Sequence, residues 1–109
     1  MIGGFILDGA PGTSAVLVRA LGQSLTEAGV EHALRDPTLQ LHDSNGTVVA
    51  SNDNWRNGDR AAGESTGIPP ESELESAVTG DFAPGAYTAV VAGKDGATGV
   101  ALVEVYYLP

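Results

Sequence analysis

The sequence predicts an all-β domain, an antiparallel β-sandwich of the jelly-roll kind, with about seven or eight strands and at most one short helical turn. Short segments alternate apolar with polar residues, as strands with one buried face do. Fifteen glycines in 109 residues supply the turns that join many short strands. Hydrophobic residues make up 42% of the chain and charged residues 17%, which is typical of a folded domain. This length suits one hydrophobic core, so we expect a single domain over residues 1–109.

The first third of the chain is predicted to contain two strands. Residues 2–7 are apolar around two glycines, and residues 14–21 are rich in β-branched valine. The glycines and proline of residues 8–13 predict a turn between them. Residues 23–36 are predicted to be a connection with a short helical piece, because 24–27 resembles a capping box.

A hairpin is predicted over residues 37–51. Leu39 and Leu41 point to one face of its first strand, while the alternating residues Thr38, Gln40 and His42 point to the other face. Residues 43–46 have the sequence Asp-Ser-Asn-Gly, which favours a tight turn, since Asn and Gly tolerate positive φ. This pattern is typical of a sheet with one buried face and one face in water.

The second half of the chain begins with a long polar segment, residues 52–70, which is predicted to be a functional or mobile loop. Residues 71–80 fit either a helix or a short strand, and we favour the strand. The remaining predicted elements are a turn at 81–85 and two strong strands at 86–92 and 98–107, joined as a hairpin through 93–97.

Charge and cysteine content exclude several classes of function. Five basic residues against fourteen acidic ones give a net charge of −9, which opposes binding to nucleic acid or to anionic lipid. There is no cysteine, so disulfides, thiolate catalysis and zinc–thiolate sites are excluded. No apolar run approaches the ~20 residues of a membrane helix. Residues 1–7 lack the basic region and cleavage site of a signal peptide, and we expect an excised domain that begins with a strand.

Oxygen-bearing side chains concentrate around the hairpin and the loop after it. Hard cations such as Ca²⁺ take about six to eight oxygen ligands from flexible loops. The spacing is not that of an EF-hand, because the third position counted from Asp53 is Trp55. The alternative interpretation is that these side chains cap turns through bonds to the backbone. The candidate calcium ligands are Asp43, Asn45, Asp53, Asn54, Asn57 and Asp59.

Trp55, the only tryptophan, is the candidate ligand-binding aromatic residue. An exposed indole beside a polar loop would stack on a sugar ring, which would make a polysaccharide the partner. The alternative interpretation, which we favour, is a core or loop-anchoring role, because tryptophan carries a large apolar surface.

No catalytic residues are predicted. The two histidines, His32 and His42, form no HExxH pattern or paired spacing, and no serine lies in a nucleophile elbow. Glu71, Glu73 and Glu75 alternate along the chain, and we expect them to form one solvated face of a strand.

Residues 37–106 resemble a β-sandwich domain that recurs, often near the C-terminus, in large secreted bacterial proteins. More distantly, the chain is similar to the bacterial pre-peptidase C-terminal domain, which also places such a hairpin before an Asn-Asp loop and an Ala-Pro-Gly-x-Tyr strand. In those relatives another strand precedes the segment that matches residues 2–7, so the resemblance implies an unpaired sheet edge here. The segments that carry the resemblance are 16–22, 36–43, 51–55, 75–78, 83–89 and 99–105.

Together with the resemblance, the lack of a catalytic set and the acidic, cysteine-free composition indicate a non-catalytic extracellular module that serves as a structural or adhesive spacer. Self-assembly through edge strands is a further expectation, based on the strand at the start of the sequence and on the very apolar C-terminal strand. Its partners would be neighbouring domains of a larger secreted protein or copies of itself. The alternative is a calcium- or carbohydrate-binding accessory module of a secreted enzyme, which rests on the Asp/Asn loop and on Trp55. A fold by itself does not select between these functions.

Overall fold

The computed structural model describes residues 1–7, 12, 14–57, 66–68, 72 and 74–108, the side chain of Asn57 excepted. Two 3₁₀ turns, Trp55–Asn57 and Lys94–Gly96, accompany the regular elements in these residues. The elements are β1 (Ile2–Leu7), β2 (Ser14–Leu21), α1 (Gln23–Glu27), β3 (Pro37–His42), β4 (Val48–Asn52), β5 (Ser76–Phe82), β6 (Gly85–Gly93) and β7 (Leu102–Tyr107).

Two antiparallel sheets form the sandwich, which confirms the predicted fold class. The four-stranded sheet has the order β1-β6-β3-β4, and the three-stranded sheet has the order β5-β2-β7. All strand pairs are antiparallel, and an isolated parallel bridge joins Ala33 to Val100. In the described part of the chain, no helix is long and apolar enough to cross a bilayer.

The core lies between the two sheets and follows the predicted alternation. Leu39 and Leu41 of β3 are buried, and the residue between them, Gln40, is exposed. Tyr87 of β6 lies among aromatic rings, with centroids 5.5 Å from Phe5 and 5.8 Å from Phe82. The buried cluster contains Leu7, Val16, Val18, Ala20, Leu34, Leu39, Leu41, Val78, Tyr87, Ala89, Val91 and Ala101.

The predicted hairpin between residues 86–92 and 98–107 is wrong. β6 pairs with β1 and β3, whereas β7 pairs with β2 in the other sheet, so their connection crosses the sandwich. Alternating residues indicate strands but not which strands are neighbours. Gly99 permits the crossing, because a Cβ there would lie 2.7 Å from the backbone nitrogen of Leu34.

β1 and β7 are edge strands on the same side of the sandwich. The hydroxyl of Tyr107, at the end of β7, donates to the carbonyl of Ile6 in β1 at 3.0 Å. A Cβ on Gly3 would lie 2.9 Å from Cγ1 of Val103. The two sheets therefore approach closely at this side.

Candidate functional site

One end of the sandwich brings together the start of β3, the end of β4 and the start of β5. Asn52 links two of them, since its Oδ1 accepts the N–H of Ala77 at 3.1 Å and its Nδ2 donates to the carbonyl of Asn54. Ser76 is fully buried, and its hydroxyl contacts the carbonyls of Pro37 and Asp53, the latter at 2.8 Å. The loop after β4 is thereby held against β5.

Glu75 lies beneath this loop and is fully buried, so the predicted solvated face is wrong for this residue; Glu71 and Glu73 lie outside the described residues. Its Oε2 accepts the N–H of Gly22 at 2.7 Å and both the N–H and the hydroxyl of Ser24. Its Oε1 accepts the N–H of Ser72. A buried carboxylate requires such compensation, because an unpaired charge is very costly away from water.

Asp36, Asp53 and Lys94 meet at the same end, although they are far apart in the sequence. Lys94 Nζ lies 2.8 Å from Asp53 Oδ2, and the pKa of Lys94 is raised by its hydrogen bond to Asp53 and by the charge of that carboxylate. The pKa of Asp36 is raised by burial first, then by the charge and hydrogen bond of Asp53, and Lys94 opposes this rise. We call these three residues the end cluster.

The four predicted calcium ligands whose side chains the structure describes lie in two separate groups. Asp43 Oδ1 accepts the N–H groups of Asn45 and Thr47 at 2.9 and 3.0 Å, so Asp43 caps the β3–β4 turn, as the alternative interpretation expected. Asp53 and Asn54 lie at the other end of that hairpin, about five residues or ~16 Å away along β4.

Two further predicted ligands follow in the loop. Asn57 ends a 3₁₀ turn, but the position of its side chain is not described, and Asp59 lies outside the described residues. Asp36 and Lys94 were not predicted as site residues, because no local spacing connects a residue just before β3 with one in the β6–β7 connection.

Among the described residues at this end, three carboxylate or amide oxygens are buried without a hydrogen-bond partner. They are Oδ1 of Asp36, Oδ1 of Asp53 and Oδ1 of Asn54. Buried oxygens of this kind are ordinarily bonded, and hard cations prefer such ligands. Within the described residues, no group of three or more His, Cys, Asp or Glu side chains is placed to hold a metal ion.

Trp55 is buried, with 4% of its surface exposed. Its backbone N–H donates to the carbonyl of Glu75 at 2.9 Å, and the guanidinium of Arg56 lies 5.2 Å from its ring centroid. This burial agrees with the loop-anchoring interpretation. A sugar would reach the indole only if the loop moved, and a role for Trp55 in ligand binding stays a prediction.

An open groove of about 540 Å³ lies beside this loop, on the end of the β3–β4 hairpin. It presents hydroxyl, amide and carboxylate groups and has no aromatic side chain among its lining residues. These residues are Thr38, Leu39, Gln40, Ser51, Asn52, Asp53 and Asn54.

A second candidate site is the four-stranded sheet itself. Its strands contain no Asp, Glu, Lys or Arg, although the chain has nineteen such residues. The outer face of edge strand β1 carries Ile2 and Ile6, which are 73% and 66% exposed. Each strand of the other sheet contains one charged residue, among them Arg19, whose guanidinium pairs with Glu104.

The fold and these sites define a two-sheet antiparallel β-sandwich domain with an uncharged sheet. No family model, curated protein or solved structure matches this chain. The similarity to pre-peptidase C-terminal domains therefore stays a prediction from the sequence motifs.

Proposed function

We propose that this chain is a non-catalytic extracellular module that acts as a structural or adhesive spacer, contacting neutral surfaces through its four-stranded sheet. The observation that carries the proposal is the absence of formal charge from all four strands of that sheet. A surface that has to stay in water ordinarily mixes charges of both signs. An uncharged sheet face in a chain of net charge −9 is suited to lie against another surface without electrostatic repulsion.

The use of the polar side chains at the end of the sandwich supports the same function. The side chains of Glu75, Ser76 and Asn52 form hydrogen bonds with backbone atoms of neighbouring elements. Such bonds hold loops in place. A spacer that holds its neighbouring domains at a fixed distance requires rigid ends, and satisfied buried hydrogen bonds make a structure rigid.

Surface retention tests this function. A sensor coated with the chain itself and a second coated with a cellulose film would be exposed to the protein at about 0.05 and 0.5 M NaCl, which span weak and strong screening. We expect retention on the protein-coated sensor that does not fall with salt, since the contact involves no ion pairs.

Two lysine variants localise the contact. Thr88 lies on the outer face in the middle of β6, whereas Thr26 is exposed in α1. T88K should reduce retention at least tenfold, and T26K, with the same change of net charge, should not. Retention lost on adding salt, or absent from both sensors, would refute the proposal. Retention on cellulose alone would favour the carbohydrate-binding alternative.

Cation binding is a second candidate function, favoured by the buried unpartnered oxygens of Asp36, Asp53 and Asn54. Lys94 already places an ammonium group 2.8 Å from Asp53, so Ca²⁺ would have to displace it. Melting temperatures with CaCl₂ and with EDTA test this, because a ligand that binds only the folded state raises stability. K94M should enlarge the calcium-dependent rise and D53N should abolish it; equal melts in both solutions for the wild type and K94M would exclude the site.

A further inference from the structure

We propose that two copies of this chain pair through β1, antiparallel and about a two-fold axis at Gly4, to form one continuous eight-stranded sheet. This inference rests on the proposed function, and it names the partner as a second copy in a closed dimer.

Within the part of the chain that the structure describes, alternate residues of β1 have no second strand to pair with. Met1 and Val91 exchange both backbone hydrogen bonds, at 2.9 and 2.8 Å. Because such pairs alternate along antiparallel strands, residues 3, 5 and 7 bond to β6, and residues 2, 4 and 6 direct their N–H and C=O groups outward. The bond from Tyr107 to the carbonyl of Ile6 agrees with this direction and leaves that oxygen a second lone pair.

These outward residues are self-complementary. Ile2 and Ile6 are equally spaced about Gly4, and all three belong to the outer face. With a two-fold axis at Gly4, each Ile2 lies opposite Ile6 of the second copy, and the two Gly4 residues face each other. Each isoleucine then packs on an apolar side chain in place of water.

The charge of this side of the molecule permits two copies to approach. β1 has no charged residue, so pairing brings no carboxylates together despite the net charge of −9. Large exposed hydrophobic residues also gather here: of the eight in the described residues, five belong to β1, to β7 or to the position just before β1, and a sixth, Val100, lies two positions before β7. These six are Met1, Ile2, Ile6, Val100, Leu102 and Tyr107.

The size of the interface indicates a weak dimer. Six residues of strand extend about 20 Å, and two stacked sheets with their side chains are about 20 Å deep, which gives roughly 400 Å² per copy. This is about half the area of a standard stable interface. The dimer should therefore form at high concentration and dissociate on dilution.

Sedimentation equilibrium of two lysine variants tests the proposal. A side chain at Gly4 is accommodated in the monomer, since a Cβ there meets nothing nearer than the Tyr87 carbonyl at 3.7 Å. Val48 is 47% exposed on the opposite edge strand, β4, and gives a matched control. The wild type and V48K should approach twice the monomer mass of 11.1 kDa as concentration rises, and G4K should associate at least tenfold more weakly.

Oxidative cross-linking tests the register, because the chain has no cysteine of its own. Facing Gly4 residues would have Cα atoms about 5.5 Å apart, within the range that a disulfide spans. G4C should therefore cross-link rapidly. I2C, on the same exposed edge, should cross-link at least tenfold more slowly, because the two copies of residue 2 would lie about 13 Å apart along the strands.

Several outcomes would overturn the proposal: a wild type that stays monomeric, G4K that associates like V48K, masses above the dimer, or equal cross-linking of G4C and I2C. The sensor experiment with T88K tests contact through the outer face of the sheet, whereas sedimentation tests pairing through the edge of β1. A wild type that is monomeric in solution but is still retained on the protein-coated sensor would therefore refute the dimer alone. A wild type that neither associates in sedimentation nor is retained on the sensors would refute the proposed function as well.

Discussion

The carboxylate of Glu75 and the hydroxyl of Ser24 form a hydrogen bond of 2.6 Å between residues 51 positions apart. This bond connects the residue just before β5 to the N-terminal end of α1. The N-cap residue of α1 is Gly22, which has no side chain that could accept the first N–H groups of the helix. The same carboxylate accepts the N–H groups of Gly22 and Ser24. Because these donors have no intrahelical acceptor, this one buried side chain takes the place of a helix cap.

Replacement of Glu75 should therefore destabilise the whole domain. In E75Q an amide NH₂ would face backbone N–H donors, which leaves buried polar groups unsatisfied and should cost about 2–3 kcal/mol. Urea denaturation measures the loss. The exposed Glu27 of α1 is the matched control, and E27Q should change stability by less than about 0.5 kcal/mol. Equal stability of E75Q and the wild type would contradict the role assigned to Glu75.

Asp36 should make stability depend on pH in a definite direction. Its pKa is raised above 3.8 in the folded protein, so the folded state binds the proton more tightly than the unfolded state. The resulting stabilisation is present below pH 3.8 and is lost as the pH rises through the folded pKa.

D36N should then melt at a higher temperature than the wild type at pH 7, and this difference should shrink as the pH falls below 3.8, because Asp36 then becomes protonated in both states. D81N, at an exposed position of β5, makes the same change in net charge and serves as the control. A difference between D36N and the wild type that persists unchanged at low pH would show that charge is not its cause.

Gly22 should tolerate no side chain. A Cβ there would lie 1.7 Å from the carbonyl oxygen of Leu34, which is far inside contact distance. G22A should lower the free energy of unfolding by about 3 kcal/mol or more, since the backbone at Leu34 would have to move to make room for the new methyl group. G4A, in an open strand position, should be neutral or stabilising by less than about 1 kcal/mol when measured at low protein concentration. Similar denaturation midpoints for the two variants would contradict this packing.

Arg19 should not be replaceable by lysine. Its guanidinium donates to Glu104, to the Ile68 carbonyl at 3.0 Å and to the Tyr106 hydroxyl at 3.1 Å, and it lies 5.1 Å from the Tyr106 ring centroid. One ammonium cannot reproduce this planar set of donors. R19K should lose about 1 kcal/mol of stability in thermal unfolding, while R35K, at an exposed position, should lose none measurable. A wild-type melting temperature for R19K would show that charge alone suffices.

Much of the fold could be predicted from local patterns. The strands of residues 2–7, 14–21 and 37–42 follow from alternation and β-branched residues, because a half-buried strand has a period of two. The turn after β3 follows from Asp43 and Gly46, whose chemistry acts within four residues. The short helix α1 was also predicted, although the acceptor for its first N–H groups was not.

The candidate sites were predicted less well, because their geometry depends on strand order. Asp43 and Asp53 are ten positions apart in the sequence, yet the β3–β4 hairpin sends them to opposite ends of the sandwich. Asp36 and Lys94 are 58 positions apart and meet, with the Lys94 N–H donating to the Asp36 carbonyl at 3.0 Å. Local spacing carries no information about such contacts.

By itself, the amino-acid sequence determined where most of the strands and the tight turn after β3 lie, because these properties depend on residues within a few positions of one another. Only the tertiary structure decided that β6 and β7 belong to different sheets, that Glu75 is buried and that the uncharged strands lie side by side. The physical reason is that burial and pairing depend on which strands become neighbours, and the alternation of residues along one strand does not specify its neighbour.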